Sequence, residues 1–155
     1  MSNPTHLIEI KKAIINYAKN EAHIDGIKSY EAFLPVKIDT AEMPIMFVTV
    51  GPATYGESNT NYANEERIFR IQVAVTTTSE GLNENIDQLA TDILEASINA
   101  FIRLASLNVD WVQEILVEED TGVAIMEGYR NDLIGFEIPL RIKYIRQFTL
   151  VDIQN

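Results

Sequence analysis

Residues 67–78 read Arg67-Ile68-Phe69-Arg70-Ile71-Gln72-Val73-Ala74-Val75-Thr76-Thr77-Thr78, and their alternation decides the fold. Phe69, Ile71, Val73 and Val75 recur at every second position, interleaved with Arg70, Gln72, Ala74 and Thr76. A period of two puts one set on each face of a strand. β-Branched and aromatic side chains suit that backbone. A second run answers the first. Between Leu133 and Phe148, the residues Ile134, Phe136, Ile138, Leu140, Ile142 and Tyr144 fall on one face and Glu137, Arg141 and Lys143 on the other. Pro139 inside this run predicts an edge position or a bulge, because proline brings no N–H to a ladder.

Two helical patterns flank the strands. Asn3-Pro4 reads as an N-cap followed by proline at the first helical position. Leu7, Ile10, Ile14, Tyr17 and Ala18 then recur at helical spacing, with Glu9, Lys12, Asn16 and Lys19 opposite, which predicts an amphipathic helix ending near Asn20. His23-Ile24-Asp25-Gly26 reads as a turn. The second helix follows Ser79-Glu80-Gly81, capped by an asparagine within 83–85. Its stripe is Ile86, Leu89, Ile93, Ser97, Ala100 and Leu104, widened by Ala90, Leu94 and Phe101.

Shorter segments fill the remainder. Lys28–Asp39 is extended, with Pro35 marking an edge or bend, and Pro44–Val50 is a β-rich run closed by Gly51-Pro52. Trp111, Gln113, Ile115 and Val117 line one side of a strand within Asn108–Glu118. Asp120-Thr121-Gly122 and Asn131-Asp132 read as turns, and Val123–Met126 as a short strand. The order is α-β-β-β-α-β-β. It predicts an α+β fold: a mostly antiparallel or mixed sheet of about four to five strands with two helices packed on one face. The absence of βαβαβ alternation argues against a doubly wound nucleotide fold.

The chain has 155 residues, 12 Lys+Arg, 23 Asp+Glu, two His and no Cys. That length suits a single domain, 1–155, with a tail of about 149–155 expected to be loosely held. Without cysteine there is no disulfide, thiolate metal site or cysteine nucleophile. The sequence has no apolar run long enough to span a bilayer and no basic-flanked leader at Met1-Ser2-Asn3-Pro4-Thr5-His6, so a cytoplasmic setting without membrane contact is expected. The net charge of −11 argues against a dedicated DNA or RNA reader. Nearly all of the excess sits in residues 79–132, where twelve acids face only Arg103 and Arg130, a net of −10.

Few residues carry an enzymatic signal. Asp120-Thr121-Gly122 matches the core tripeptide of aspartic proteases, whose paired carboxylates share a proton. The second apolar-apolar-Gly element they require has no distant counterpart, since Leu133-Ile134-Gly135 comes only 13 residues later. Glu118-Glu119-Asp120 lacks a surrounding calcium loop, and His6 and His23 stand apart from any nucleophile or second histidine. No catalytic, metal or cofactor residue is assigned, and the chain is not expected to be an enzyme. The best binding candidate is the polar stretch 53–66, expected as a loop, in which Tyr55, Glu57, Asn59, Asn61 and Tyr62 would meet a partner. Arg141, Lys143 and Arg146 form a second possible patch on a solvated or subunit-facing edge.

Taken in sequence, these elements form a recognisable layout. The amphipathic helix leads into strands. The polar stretch then feeds Arg67-Ile68-Phe69-Arg70-Ile71-Gln72-Val73. A long helix follows, and further strands end in Gly135-Phe136-Glu137-Ile138-Pro139-Leu140-Arg141-Ile142-Lys143-Tyr144. Over most of residues 4–148 this order resembles the tail terminator (tail completion) proteins of long-tailed bacteriophages, and more loosely other small neck proteins. The resemblance implies a virion protein assembled in the host cytoplasm. It would form a ring, usually hexameric, that caps the tail tube and joins it to the head–tail connector, with no cofactor. DNA would pass through without specific binding, since like charge repels phosphate. Glu80, Glu84, Asp87, Glu118, Glu119 and Asp120 are the candidate lumen-facing acids. The alternatives are a small cytoplasmic protein-binding or regulatory module, and a hydrolase using scattered carboxylates.

Overall fold

The computed structural model describes residues 6–35, 38–77, 84–104, 106–126 and 132–147. Asn3-Pro4, Ser79-Glu80-Gly81, the cap at Asn83, Asn131 and the tail 149–155 lie outside these residues.

The two long alternating runs pair with each other. Strand β3 (Tyr62–Thr77) and strand β6 (Leu133–Gln147) run antiparallel from Tyr62 opposite Gln147 to Thr77 opposite Leu133, with one irregularity between Ala74 and Thr76. Strand β2 (Ile45–Ser58) lies antiparallel against the other side of β3, and the three-residue β1 (Ser29–Glu31) lies parallel to the start of β2. Strands β4 (Val112–Val117) and β5 (Ala124–Met126) both pair antiparallel with β6. The result is a mixed sheet of six strands, ordered β1-β2-β3-β6-β4 with β5 also on β6. It is an α+β fold in the expected element order, slightly richer in strands.

Helix α1 (His6–Asn16) continues as a π-helical turn (Tyr17–Ala22) and ends where His23 takes φ 51° and Gly26 takes φ 91°. Helix α2 spans Glu84–Ile102. The helices bury their stripes on one face of the sheet. Ile10, Ile14 and Ala18 of the first helical segment meet Ala90, Ile93, Ala100 and Phe101 of α2 over Met46, Val48, Phe69, Ile71, Val73, Phe136, Ile138, Leu140, Ile142 and Tyr144. The Tyr17 hydroxyl donates to the Ala100 carbonyl at 2.6 Å and ties the two helices together. On the opposite face, among the described residues, Phe47 is fully buried and Met43, Ile45, Ala74 and Leu133 form a small apolar cluster. Polar pairs cover much of the rest. Gln72 donates to Thr49 and Glu137, and Arg141 pairs with Glu118 and with Glu66.

Four details differ from the sequence reading, each for a local reason. Gly51-Pro52 does not end β2; it sits where the register shifts between Val50 and Ala53, as a bulge the strand passes through. The stretch 53–66 is not a loop, because β2 runs to Ser58 and β3 resumes at Tyr62. Gln113 does not share a face with Ile115 and Val117; the register slips between Val112 and Glu114, leaving Gln113 exposed. Pro139 lies on a central strand without a bulge. It falls where β6 has no strand partner between β4 and β5, so its missing N–H deprives no ladder. Asp120-Thr121-Gly122 spans that gap as a turn. Thr121 donates its N–H to the Glu137 carbonyl and accepts the Glu137 N–H on Oγ1 at 2.9 Å.

Gly135 marks the closest approach in the sheet, since a Cβ there would lie 1.8 Å from the Val73 carbonyl oxygen. A Cβ at Gly56 would meet only the Asn64 Cβ, at 3.5 Å. Gly135→Ala is therefore expected to destabilise the fold by about 3 kcal/mol, and Gly56→Ala by less than about 0.5 kcal/mol. Urea unfolding midpoints at unchanged m-value measure both.

Candidate functional site

Beyond Arg67, β2 and β3 form a hairpin arm. Every residue from Thr54 to Asn61 is exposed. Its tip is built by Asn59, whose Oδ1 accepts the N–H groups of Asn61 at 2.7 Å and Tyr62 at 3.0 Å, while its own N–H donates to the Tyr62 carbonyl. Asn59 is thus occupied in shaping the turn. Tyr55 is 64% exposed. Tyr62 and Asn61 instead line a shallow groove with Ile145 and Gln147. Of the expected partner-binding residues, the arm brings Tyr55, Glu57, Asn59, Asn61 and Tyr62 together around one tip.

The base of the arm holds a feature that the sequence reading missed. Glu65 follows the phase of Phe69 and Ile71, so it points to the helix-covered face, and its side chain is 0% exposed. Its register partner Tyr144 donates a hydroxyl hydrogen bond to Glu65 Oε2. Arg146 donates from Nε to Oε1 at 2.7 Å and from Nη2 to Oε2 at 3.1 Å, and Arg67 donates from Nε at 3.2 Å. Arg67 also reaches across β2, donating to the Gly51 carbonyl at 2.9 Å and to the Tyr55 hydroxyl at 3.0 Å. One buried carboxylate therefore joins β3 to β6, and through Arg67 to β2. Burial by itself pushes the Glu65 carboxyl up, but the hydrogen bonds and charges of Arg146 and then Arg67 outweigh it and hold the group below its ordinary value.

His6, at the start of α1, closes this cluster from the helix side. Its ring meets Trp111 edge-on at 4.7 Å and stacks with Tyr144 at 6.5 Å. Nε2 accepts the Gln147 N–H at 3.3 Å, which leaves the proton on Nδ1, buried and without a partner among the described residues. Desolvation, helped by the Arg146 charge, lowers its pKa against the opposing pull of Glu9 and Glu65.

The other expected surfaces divide. Arg141 and Lys143 face the polar side of the sheet, whereas Arg146 is on the helix side with Glu65, so the three do not form one patch. Strand alternation separates them. Among the candidate acids, Glu80 lies outside the described residues, and Glu84 and Asp87 are exposed in the first turn of α2. Glu118 is paired with Arg141 on the opposite side of the sheet, and Asp120 accepts the Gly122 N–H at 2.8 Å; Glu119 beside them is exposed. These acids do not make a single surface within one chain, because the sheet lies between the two sets. Among the described residues no group of three His, Asp or Glu side chains is placed to hold a metal ion. Nor is any described helix long and apolar enough to cross a membrane. Compared with protein-family models and with curated proteins, the chain matches none.

Two outcomes follow from the cluster. Replacing Glu65 by Gln leaves Arg67 and Arg146 without their counter-charge, and is expected to cost about 3 kcal/mol in urea unfolding. A histidine with a lowered folded pKa stabilises the fold fully above its unfolded value and loses that contribution as the pH falls. Stability should thus begin to decline as the pH drops below about 6.5, the ordinary histidine value. His6→Phe should flatten that part of the curve. The further decline below about 4.5, where Glu65 begins to take up a proton in the unfolded chain, should remain. Thermal melts across pH read both.

Proposed function

We propose that the chain is a structural virion protein of the tail-terminator kind, a ring-forming subunit that caps a tail tube and joins it to the head connector while DNA passes through. The observation that carries this reading is the hairpin arm, whose tip is wholly exposed and whose base is locked by Glu65, Arg67, Tyr144 and Arg146. An arm ordered before it meets its neighbours loses little conformational entropy on docking. Tyr55, exposed on one face of the arm, and Tyr62, half-buried on the other, are amphipathic side chains of the kind that protein interfaces favour. The net charge of −11, with Glu84, Asp87 and Glu119 at the surface, suits a ring whose channel repels phosphate.

A monomeric or dimeric binding module would use the same arm, and assembly state separates the two readings. The hydrolase reading draws no support from Glu65, whose carboxylate is buried between two arginines and below its ordinary pKa, the reverse of what a general acid needs.

Deleting the coding sequence from the virus that carries it is expected to leave filled heads and uncapped tail tubes unjoined in electron micrographs, with plaque formation restored by the intact chain in trans. Joined, infectious particles from the deletion would overturn the reading.

A further inference from the structure

The sheet has two edges that no strand covers among the described residues. On one side, β1 pairs with β2 only from Ile45 to Phe47, so no described strand lies along the outer side of β2 from Val48 to Ser58, where the Gly51 carbonyl accepts from Arg67. On the other, β4 pairs with β6 through one side, and its outer side is open from Val112 to Val117. Free N–H and C=O groups along an edge are a template for another strand.

We propose that these edges are the two halves of one contact between copies of this chain, β4 of one copy adding to β2 of the next. The inference deepens the ring reading above and rests on it only for closure into a ring. Strand direction supports it first. Successive neighbours β2, β3, β6 and β4 are all antiparallel, so β2 and β4 point in opposite senses. A copy related by rotation about an axis along the strands therefore presents its β4 antiparallel to β2. A contact between different patches of identical subunits is the kind that generates rings.

Level supports it next. The ladder rows join Val50 to Phe69, Leu140 and Val117, and Tyr55 to Glu65, Tyr144 and Val112. The open part of β4 thus lies at the same height across the sheet as Val50–Tyr55.

Apolar exposure marks the same edges. Val50 and Tyr55 of β2, with Phe33 and Leu34 just after β1, are exposed on one flank; Leu116 of β4 and Ile125 of β5 are exposed on the other. Charge density disfavours the self-pairing of β4. Lys11 lies 5.0 Å over the Phe33 ring beside β1, below the open part of β2. Asp110, Glu114 and Glu119 flank β4, all exposed. Two β4 edges would bring Asp110, Glu114 and Glu119 against their own copies, whereas the open part of β2, from Val48 to Ser58, sets only Glu57 against them.

The test uses Val50→Lys and Leu116→Lys, both at exposed positions, with mass read by light scattering and folding checked by circular dichroism. The full-length chain should form a closed oligomer and each variant a monomer. An equimolar mixture should form a 1:1 heterodimer, because each partner keeps one intact edge of the opposite kind. A variant that dimerises with itself overturns the proposal in favour of two-fold edge pairing. Oligomers that persist in both variants overturn it while leaving the ring reading standing. A full-length chain that stays monomeric at its highest soluble concentration overturns it too, and the deletion experiment then judges the ring reading separately. Should either lysine variant unfold, the chain's lack of cysteine allows a second test. Thr54→Cys combined with Gln113→Cys should give head-to-tail covalent multimers with a short bis-maleimide. Only monomers after that treatment would refute the contact.

Discussion

A carboxylate without water organises the distal half of this sheet. Removing an ionised carboxylate from solvent costs several kcal/mol, and the cost is offset only by well-placed counter-charge and hydrogen bonds. Glu65 receives both from residues on two strands: Arg67 on its own strand, and Tyr144 and Arg146 on β6. The same arrangement fixes register. A slip of one residue would carry Glu65 to the polar face and turn its arginine and tyrosine partners away from it. The apolar alternation of β3 and β6 already disfavours such a slip over Phe69–Val75, but it has no force past Arg67, where the sequence turns polar. There the ion cluster sets the alignment.

The two faces of the sheet are held by different forces. On the helix side, burial of Phe69, Phe136, Leu140 and their neighbours beneath α1 and α2 supplies the stability. On the other side, Arg70, Gln72, Glu137, Arg141, Glu66 and Glu118 form cross-strand pairs that are half-exposed. Such pairs contribute little each. Their effect is to keep much of that face wetted around the buried Phe47.

The elements that rest on hydrophobic period were legible in the sequence. The cores of β3 and β6, the stripe of α2 and the α+β order all follow from apolar spacing. The hairpin arm was not legible, because its inward positions are Ala63, Glu65 and Arg67, which apolar periodicity does not register. A signal was present in phase: Glu65 and Arg67 extend the odd-numbered series of Phe69, Ile71 and Val73, and Arg146 extends the even series ending at Tyr144. Opposite charges continuing two facing apolar phases are a readable sign of a buried ion cluster. Pro139 illustrates another limit. Whether its missing N–H matters depends on where β4 stops, which no local pattern reveals. The acids of 79–132 are neighbours in sequence, yet among the described ones the sheet lies between Glu84 and Asp87 on α2 and Glu118 beside Arg141.

The cluster and the free edge of β2 are one mechanical unit. Beyond the bulge at Gly51-Pro52, β2 has β3 on one side and no described strand on the other, and an edge held by one neighbour twists more freely than a strand inside a sheet. Arg67 opposes that freedom at two points, through the Gly51 carbonyl at the bulge and the Tyr55 hydroxyl four residues further on. Because the guanidinium is itself held by Glu65, the outer edge of β2 is referenced to β6, the strand that also carries β4. The two open edges are thereby kept at fixed height relative to each other across four strands. A contact that repeats around a ring needs such a fixed relation, since an error in each subunit would accumulate with every copy added and leave the ring unable to close.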